Sequence, residues 1–345
     1  MRDLDMLTQS TLERILTSLP RLRIGVVGDL FLDRYLDLDA ALTEPSIETG
    51  LDAYQVTRVR SYPGAAGTII NNLAALGVGV IMPVAVIGDD GEGYELRQAV
   101  TTMPAVRTEH LIARRDRRTP TYTKPMLHEA GQAPRELNRL DIKNRTKLPP
   151  DAEEAVLSAL ARVWPACDAL LVLDQVSEPD CGVITERVRR RLSELGEATP
   201  EKLLLADSRE RIGLFTNIWL KPNVGECRKA LGTEMEPALA AGKLAERCGR
   251  PVFLTRGAQG IWVARPDQSP VHVSSVPVAG PIDTVGAGDS TSAGLACAIA
   301  GGATLEEAAA FSNLVASITI QQIGTTGTAS PEQVRQRWRS SVVCQ

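Results

Sequence analysis

From Ala169 the chain reads ALLVLD, ending at Asp174; an Arg-rich stretch follows to about Gly196, and KLLLAD then runs from Lys202 to Asp207. Both apolar runs are of strand length and too continuous to leave one side facing water. The charged stretch between them has the length and composition of a covering helix. A strand, a helix and a second fully apolar strand imply parallel pairing inside a sheet covered on both faces. The same rhythm extends outward through RIGVVGDL (Arg23–Leu30), VGVIMPVAVIG (Val78–Gly88, one bent strand or a pair), NIWLK (Asn217–Lys221) and PVFLTR (Pro251–Arg256), with helix-like IINNLAALG ending at Gly77. The fold class expected is α/β: a doubly wound, mostly parallel sheet with helices on both faces. Near the end, Thr304 with Glu307 forms a capping box before an apolar run through Ile320, and Ser330, Pro331 and Gln333 repeat the helix-start signal.

Two segments break this rhythm, about Leu36–Pro63 and about Val106–Asp141. Their short alternating runs, such as TPTYTKPML, predict antiparallel strands that pair into a small second sheet over one end of the main one. The expectation is one α/β domain over residues 1–345, with a lid formed by approximately 36–63 and 106–141.

Composition narrows the function. The net charge of −4, from 38 basic and 42 acidic residues, is too mild to call for nucleic acid or an acidic membrane as partner. Six scattered cysteines without a CxxC, and three isolated histidines without HExxH, argue against a zinc site or a secreted disulfide framework. The opening MRDLDMLTQS has no apolar core of the signal-peptide kind, and the most apolar stretch, near Val78–Ile87, is too short to span a bilayer. A cytoplasmic protein with reduced thiols is expected.

The chemistry concentrates in GPIDTVGAGDSTSAGLACAIAGG, Gly280–Gly302. Gly286, Ala287 and Gly288 leave the backbone uncovered where a helix begins, so their N–H groups form an anion cradle at its positive end. Asp289 stands in the first helical turn, where the helix dipole is expected to keep it ionised. A phosphate cradle beside a hydroxyl-orienting carboxylate is what phosphoryl transfer to an alcohol requires. No GxxxxGK[ST] occurs, so this is not a P-loop, and no complete dinucleotide fingerprint is present.

These residues resemble the PfkB, or ribokinase-like, family of sugar kinases. The run Asp283-Thr-Val-Gly-Ala-Gly-Asp289 matches its C-terminal signature at every position. Lys221-Pro-Asn223-Val-Gly-Glu226, Leu254-Thr-Arg-Gly257-Ala-Gln-Gly260, and Gly28-Asp29 with Asp33 follow in the family's order. Within that family, GDLFLDRYL, TYTK (Thr121–Lys124), Arg139-Leu-Asp141 and IGTTGTASPEQV are similar to the kinase domain that phosphorylates heptose 7-phosphate; no HxGH segment of a fused nucleotidyltransferase follows. The resemblance implies an ATP- and Mg²⁺-dependent kinase acting on a sugar or sugar phosphate. It makes Asp289 the base and Gly286, Ala287 and Gly288 the anion hole. Asn223 and Glu226 would serve the triphosphate and Mg²⁺ through water. Thr255, Gly257, Gly260 and Asn313 would line the nucleotide, with Asn313 toward adenine. Asp33, Gly64, Ala65, Thr68, Lys124 and Arg139 would meet the sugar. A monovalent cation near the Asp283 loop and a homodimer through the lid belong to the same expectation.

One departure bears on the substrate. Where the family shows Gly-Gly-x-x-Asn, this chain has Gly64-Ala65-Ala66-Gly67-Thr68, which adds a methyl and removes an amide; Asn71 or Asn72 replaces that amide only if the helix starts differently. Lys221 and Arg209 are milder departures on the nucleotide side. A nucleoside or other small-alcohol kinase, or a non-catalytic sugar- or nucleotide-binding regulator on the same fold, remain the alternatives. The cluster Arg114, Arg115, Arg117 and Arg118 matches phosphate geometry, but charge runs of this kind usually face water. Asp174, at a strand end, either faces the cleft or caps the next turn.

Overall fold

The computed structural model describes residues 6–343; Arg2, Asp3, Asp5 and Cys344 lie outside the described residues. Nine strands form the main sheet. In spatial order they are Val271–Val273, Ile261–Ala264, Val252–Thr255, Trp219–Leu220, Leu203–Ser208, Ala169–Asp174, Arg23–Gly28, Val80–Gly88 and Leu111–Arg114. All neighbours pair in parallel except at one end, where Ile261–Ala264 is antiparallel to both Val252–Thr255 and the edge strand Val271–Val273. The continuous apolar strands have a direct structural reason. Leu171 and Leu173 point into one hydrophobic core, whereas Leu170 and Val172, their alternates, point into the other. Helices cover each core, so neither side of the strand can be polar.

VGVIMPVAVIG forms one strand, Val80–Gly88. The shortest strand of the main sheet, Trp219–Leu220, is narrower than NIWLK suggested because Asn217 turns at φ 58 before it; after it, the Lys221 N–H still reaches the neighbouring strand, at the Ala206 carbonyl.

The second sheet grows straight out of the first. After Arg23–Gly28 and Asp29, the chain continues as Leu30–Asp39, which pairs antiparallel with Val56–Ala65 and parallel with Thr121–His128. The short strands Leu140–Ile142 and Arg135–Glu136 pair with Thr121–His128. The sheet therefore starts earlier than the polar composition near Leu36 indicated, because Leu30 and Leu32 are buried against the main core. Leu111–Arg114 does not join it: Leu111 and Ile112 extend the main sheet beside Ala85 and Val86.

Topology places the crevice. From Arg23–Gly28 the chain builds outward to Val80–Gly88 on one side, then returns to build from Ala169–Asp174 on the other, so the strand order reverses between these two neighbours. Ligands bind at the carboxyl ends of strands at such a reversal. Asp29 sits at this point and is buried. Its carboxylate accepts N–H bonds from Gln175 (2.9 Å), Val176 (3.0 Å) and Val183 (2.7 Å), tying the far strand's exit loop to the near strand's end. Burial, with Asp174 nearby, pushes the Asp29 carboxyl up to about 6.

Candidate active site

The helix Ala287–Ala300 is built almost wholly of small residues, and from Ser290 to Ala298 it is buried. Small side chains let it lie close to the helix Leu305–Thr319; a Cβ on Gly294 would come within 3.0 Å of Ser312 Cα. A helix packed this deeply brings its N-terminus to the crevice floor. Gly286 caps it at φ 79, and a Cβ there would lie 3.2 Å from Thr68 Cγ2 and 3.4 Å from Thr326 Cγ2, so glycine is needed for conformation and for space. The Ala287 N–H is already committed to the Thr284 carbonyl at 3.1 Å. The N–H groups of Gly288 and Asp289 have no acceptor among the described residues, so the cradle is centred one residue further along than Gly286–Gly288 suggested.

Asp289 is half-buried, not sealed. Its carboxyl is pushed up from 3.8 to about 7, first by burial and then by the Asp207 carboxylate, against the opposing pull of Lys221 and Arg209; Asp33 adds a smaller upward push. This corrects the expectation of a carboxylate held ionised by the helix dipole. Desolvation and a like charge outweigh a field that falls off within one turn. The result is a group poised to accept a proton near neutral pH, as a general base should be.

Below the cradle lies a buried ion pair. Lys221 Nζ meets Asp207 Oδ2 at 2.8 Å, with the two side chains only 4% and 11% exposed. A Cβ on Gly288 would sit 3.5 Å from that same Nζ, so the ammonium underlies the cradle. Asn223 and Glu226 open the helix Val224–Leu231 as a reciprocal capping box: Asn223 N–H donates to Glu226 Oε2 at 2.8 Å, and Glu226 N–H donates to Asn223 Oδ1 at 2.9 Å. Burial, and then Asp207, raise the Glu226 carboxyl. Among the described residues, Asp207, Glu226 and Asp289 thus lie with the two cations Lys221 and Arg209, a local excess of negative charge that a hard cation with oxygen ligands would balance. One Glu226 oxygen remains outside the capping box and fits a metal-bound water.

On one side of the cradle lies a cavity of about 440 Å³, lined by Thr255, Gly257, Gly260, Ala287, Gly288 and Asn313 among others. Thr255 adjoins Asn223 through a parallel bridge, and its hydroxyl donates to the Pro222 carbonyl at 3.3 Å. Asn313 lines the cavity, but its amide nitrogen is spent on the Val273 and Ser274 carbonyls, at 3.2 and 2.9 Å. It holds the cavity wall in place.

At the strand-order reversal, a smaller cavity of about 140 Å³ is lined by Asp29, Phe31, Tyr122, Arg139, Lys143 and Arg209 among others, while Asp33 and Asp289 lie outside its lining. Arg139 stacks over the Tyr122 ring at 4.1 Å and grips Asp141 with two nitrogens, at 2.6 and 2.9 Å. Lys124 is not free for an anion: its Nζ lies 3.6 Å from Asp33 and donates to Tyr35 Oη at 3.0 Å. Burial raises the Asp33 carboxyl, with Lys124 the chief opposing charge. Gly64 lies against Asp33, since a Cβ there would be 2.9 Å from the carboxylate carbon.

The altered turn has a clear geometry. Ala65 takes φ 53 and ψ −117, a conformation that favours glycine, and Thr68 is buried with its methyl toward Gly286. Neither neighbouring amide replaces the missing one. Asn72 is fully buried and donates to the Thr68 carbonyl at 2.9 Å, while Asn71 points to the Pro63 carbonyl at 3.5 Å. Ala65→Gly is expected to stabilise the fold by about 1 kcal/mol, the strain relieved less the added chain entropy. Urea titration measures this directly, and a midpoint that stays put or falls contradicts it.

Two further readings are settled by the partners. Arg114, Arg115 and Arg118 pair with Asp116 and Asp151, Asp89, and Asp90 and Glu92, while Arg117 is buried and donates to the Thr146, Lys147 and Cys181 carbonyls. Each member of this cluster thus has a structural partner, in keeping with a charge run on the protein's own acidic groups and carbonyls. Asp174 is buried and gripped by Arg211. Lys143 and the Asp207–Lys221 pair escaped the motif search, although the string Asp207-Ser-Arg-Glu-Arg beside Lys-Pro-Asn was the available signal.

Comparison with known proteins agrees with this geometry. The chain is 28% identical over 307 residues to the Bifunctional protein HldE of Azorhizobium caulinodans, covering 88% of this chain and 61% of that protein. It is 26% identical to the protein of the same name from Gluconobacter oxydans, covering 91% and 64%. It therefore spans only some three fifths of these relatives' length. Among solved structures, Arabidopsis thaliana ribokinase complexed with ribose and ATP superposes with a TM-score of 0.65 at 18% identity, covering 92% of this chain and 99% of that one. Escherichia coli phosphofructokinase-2 in complex with fructose-6-phosphate gives 0.67 at 16%, covering 93% and 99%. The model of the pfkB family of carbohydrate kinases matches residues 26–333, nearly the whole chain, and the chain belongs to that family.

Proposed function

We propose that the chain transfers the γ-phosphoryl group of ATP to a hydroxyl of a sugar phosphate of the heptose 7-phosphate type. One observation carries the reading: a single helical turn contributes Gly288 to the larger cavity and Asp289, within electrostatic reach of Asp33, beside it. ATP would occupy the larger cavity, with its transferring phosphate on the Gly288 and Asp289 amides. Mg²⁺ would be held through water by Glu226 and Asn223, supplying charge neutralisation for the triphosphate. Asp289 would take the proton of the acceptor hydroxyl, and Asp33 would orient the sugar by accepting its hydroxyl hydrogens. Folding of the second sheet over the sugar would keep water from competing.

The basic lining of the smaller cavity favours a phosphorylated acceptor. Arg139 and Lys143 share the Tyr122 face there, and both form ion pairs with the single carboxylate of Asp141. HldE relatives and a phosphofructokinase-2 bound to fructose-6-phosphate are consistent with this choice. A monovalent cation fits the loop where Asp283 takes N–H bonds from Val285 and Gly324, each at 3.0 Å. Exposed Val56, Val59 and Tyr62 on one lid strand support a homodimer through the lid. No helix among the described residues is long and apolar enough to cross a membrane, and dependence on ATP supports a cytoplasmic location.

The test is a panel of heptose 7-phosphate, fructose 6-phosphate, ribose and a nucleoside with MgATP. A sugar phosphate should be the preferred acceptor, and Arg139→Ala should lower its kcat/KM by about 10- to 100-fold, the worth of one charge-assisted contact, while sparing ribose. Preference for ribose or the nucleoside would contradict the acceptor class, and nucleotide binding without any turnover would favour the regulator.

A further inference from the structure

We infer that Arg209 is a further catalytic residue, its guanidinium closing on the phosphoryl group as it passes from nucleotide to acceptor. Asp207–Arg211 stands at the carboxyl edge of the sheet, and four of its five side chains are committed. Asp207 pairs with Lys221, Ser208 Oγ donates to Asp174 Oδ2, Glu210 pairs with Lys229, and Arg211 grips Asp174 through two nitrogens. Arg209 alone of the five has neither an ion pair nor a side-chain hydrogen bond among the described residues, and it is exposed. Its backbone is nonetheless fixed, the N–H donating to the Asp174 carbonyl at 3.3 Å.

Its position is what distinguishes it from an ordinary surface arginine. Arg209 lines the smaller cavity, stands two positions after Asp207, whose partner Lys221 places its ammonium beneath Gly288, and its charge reaches Asp289. A cation that borders the proposed acceptor cavity, beside the ion pair under the cradle and within electrostatic reach of the proposed base, links the two proposed ligand sites. Phosphoryl transfer spreads negative charge over three equatorial oxygens, and a guanidinium offers a planar fork of donors to match. With no side-chain hydrogen bond or ion pair among the described residues, that fork is free to bind the migrating group more tightly than ATP itself, which raises kcat rather than ATP affinity.

The inference rests on the kinase reading above but is tested without an acceptor. MgADP binding is measured with and without fluoroaluminate, a mimic of the phosphoryl group in flight. Fluoroaluminate should tighten MgADP on the wild type by about 100-fold or more, as transition-state mimics do, and on Arg209→Met hardly at all, with MgADP alone bound equally by both. Arg209→Lys should fall between them. With heptose 7-phosphate as acceptor, Arg209→Met should lose about 10³-fold in kcat at unchanged KM for ATP. An Arg209→Met protein that gains as much from fluoroaluminate as the wild type, or a wild type that gains nothing, overturns the inference. Failure of heptose 7-phosphate as a wild-type acceptor, with the fluoroaluminate difference intact, counts against the acceptor class alone.

Discussion

Asp289→Asn is expected to lower kcat by about 10³- to 10⁴-fold while leaving MgATP binding within a few-fold of wild type. The amide keeps the size and the backbone of the first helical turn, so the cradle survives and only the proton acceptor is lost. In the wild type, kcat should rise with pH and level off above about 7, because the carboxyl must be deprotonated to act and burial with Asp207 has raised it to about 7. The same shift has a stability consequence of opposite sense. Folding favours the protonated carboxyl, so its contribution is complete below the ordinary 3.8 and is lost as pH rises through 7. Asp289→Asn should therefore melt above wild type at pH 8 and lose most of that advantage at pH 4. A variant that is inactive yet more stable at high pH marks a strained functional group; one that is merely less stable at every pH marks a structural one.

Lys221→Met should cost about 3–5 kcal/mol of stability, because it strands the Asp207 carboxylate in the interior. Chemical denaturation at pH 8 measures the loss, and Lys221→Met with Asp207→Leu should recover most of it, since an apolar pair avoids the uncompensated charge. Activity should not recover. The ammonium below Gly288 is one of two cations that hold the Asp289 carboxyl down, so in the single variant the rise of kcat should move to higher pH. Equal stability of the single and double variants would show that the stranded Asp207 carboxylate carries no penalty, against the account.

The sheet and the cradle were legible in the sequence because both are written in local patterns. Runs such as ALLVLD are apolar at every position only when both faces are covered, and Gly-Ala-Gly-Asp before a run of small residues exposes amides at a helix start. What remained hidden depends on three-dimensional neighbours. The Asp289 carboxyl is raised first by burial and then by Asp207, which lies 82 positions earlier in the sequence and reaches it only through the parallel ordering of the strands. Lys124 is expected from the sequence to meet the sugar, but its partners on the adjacent strand, Asp33 and Tyr35, are not visible in the residues alone. Leu111–Arg114 carries the alternating composition of the lid, yet buried Leu111 is drawn to the edge of the main sheet. The turn at Ala65 shows the reverse case. Its departure from the family pattern was visible in the residues alone, but the positive φ and the contact of Thr68 with Gly286 were not.

The most direct test of phosphoryl transfer at this helix start is a crystal structure with Mg²⁺, a non-hydrolysable ATP analogue and heptose 7-phosphate. The account predicts the γ-phosphate on the Gly288 and Asp289 amides, with an Asp289 carboxylate oxygen about 2.6–3.2 Å from an acceptor hydroxyl. A γ-phosphate seated elsewhere, or an Asp289 turned away from every sugar hydroxyl, would contradict it.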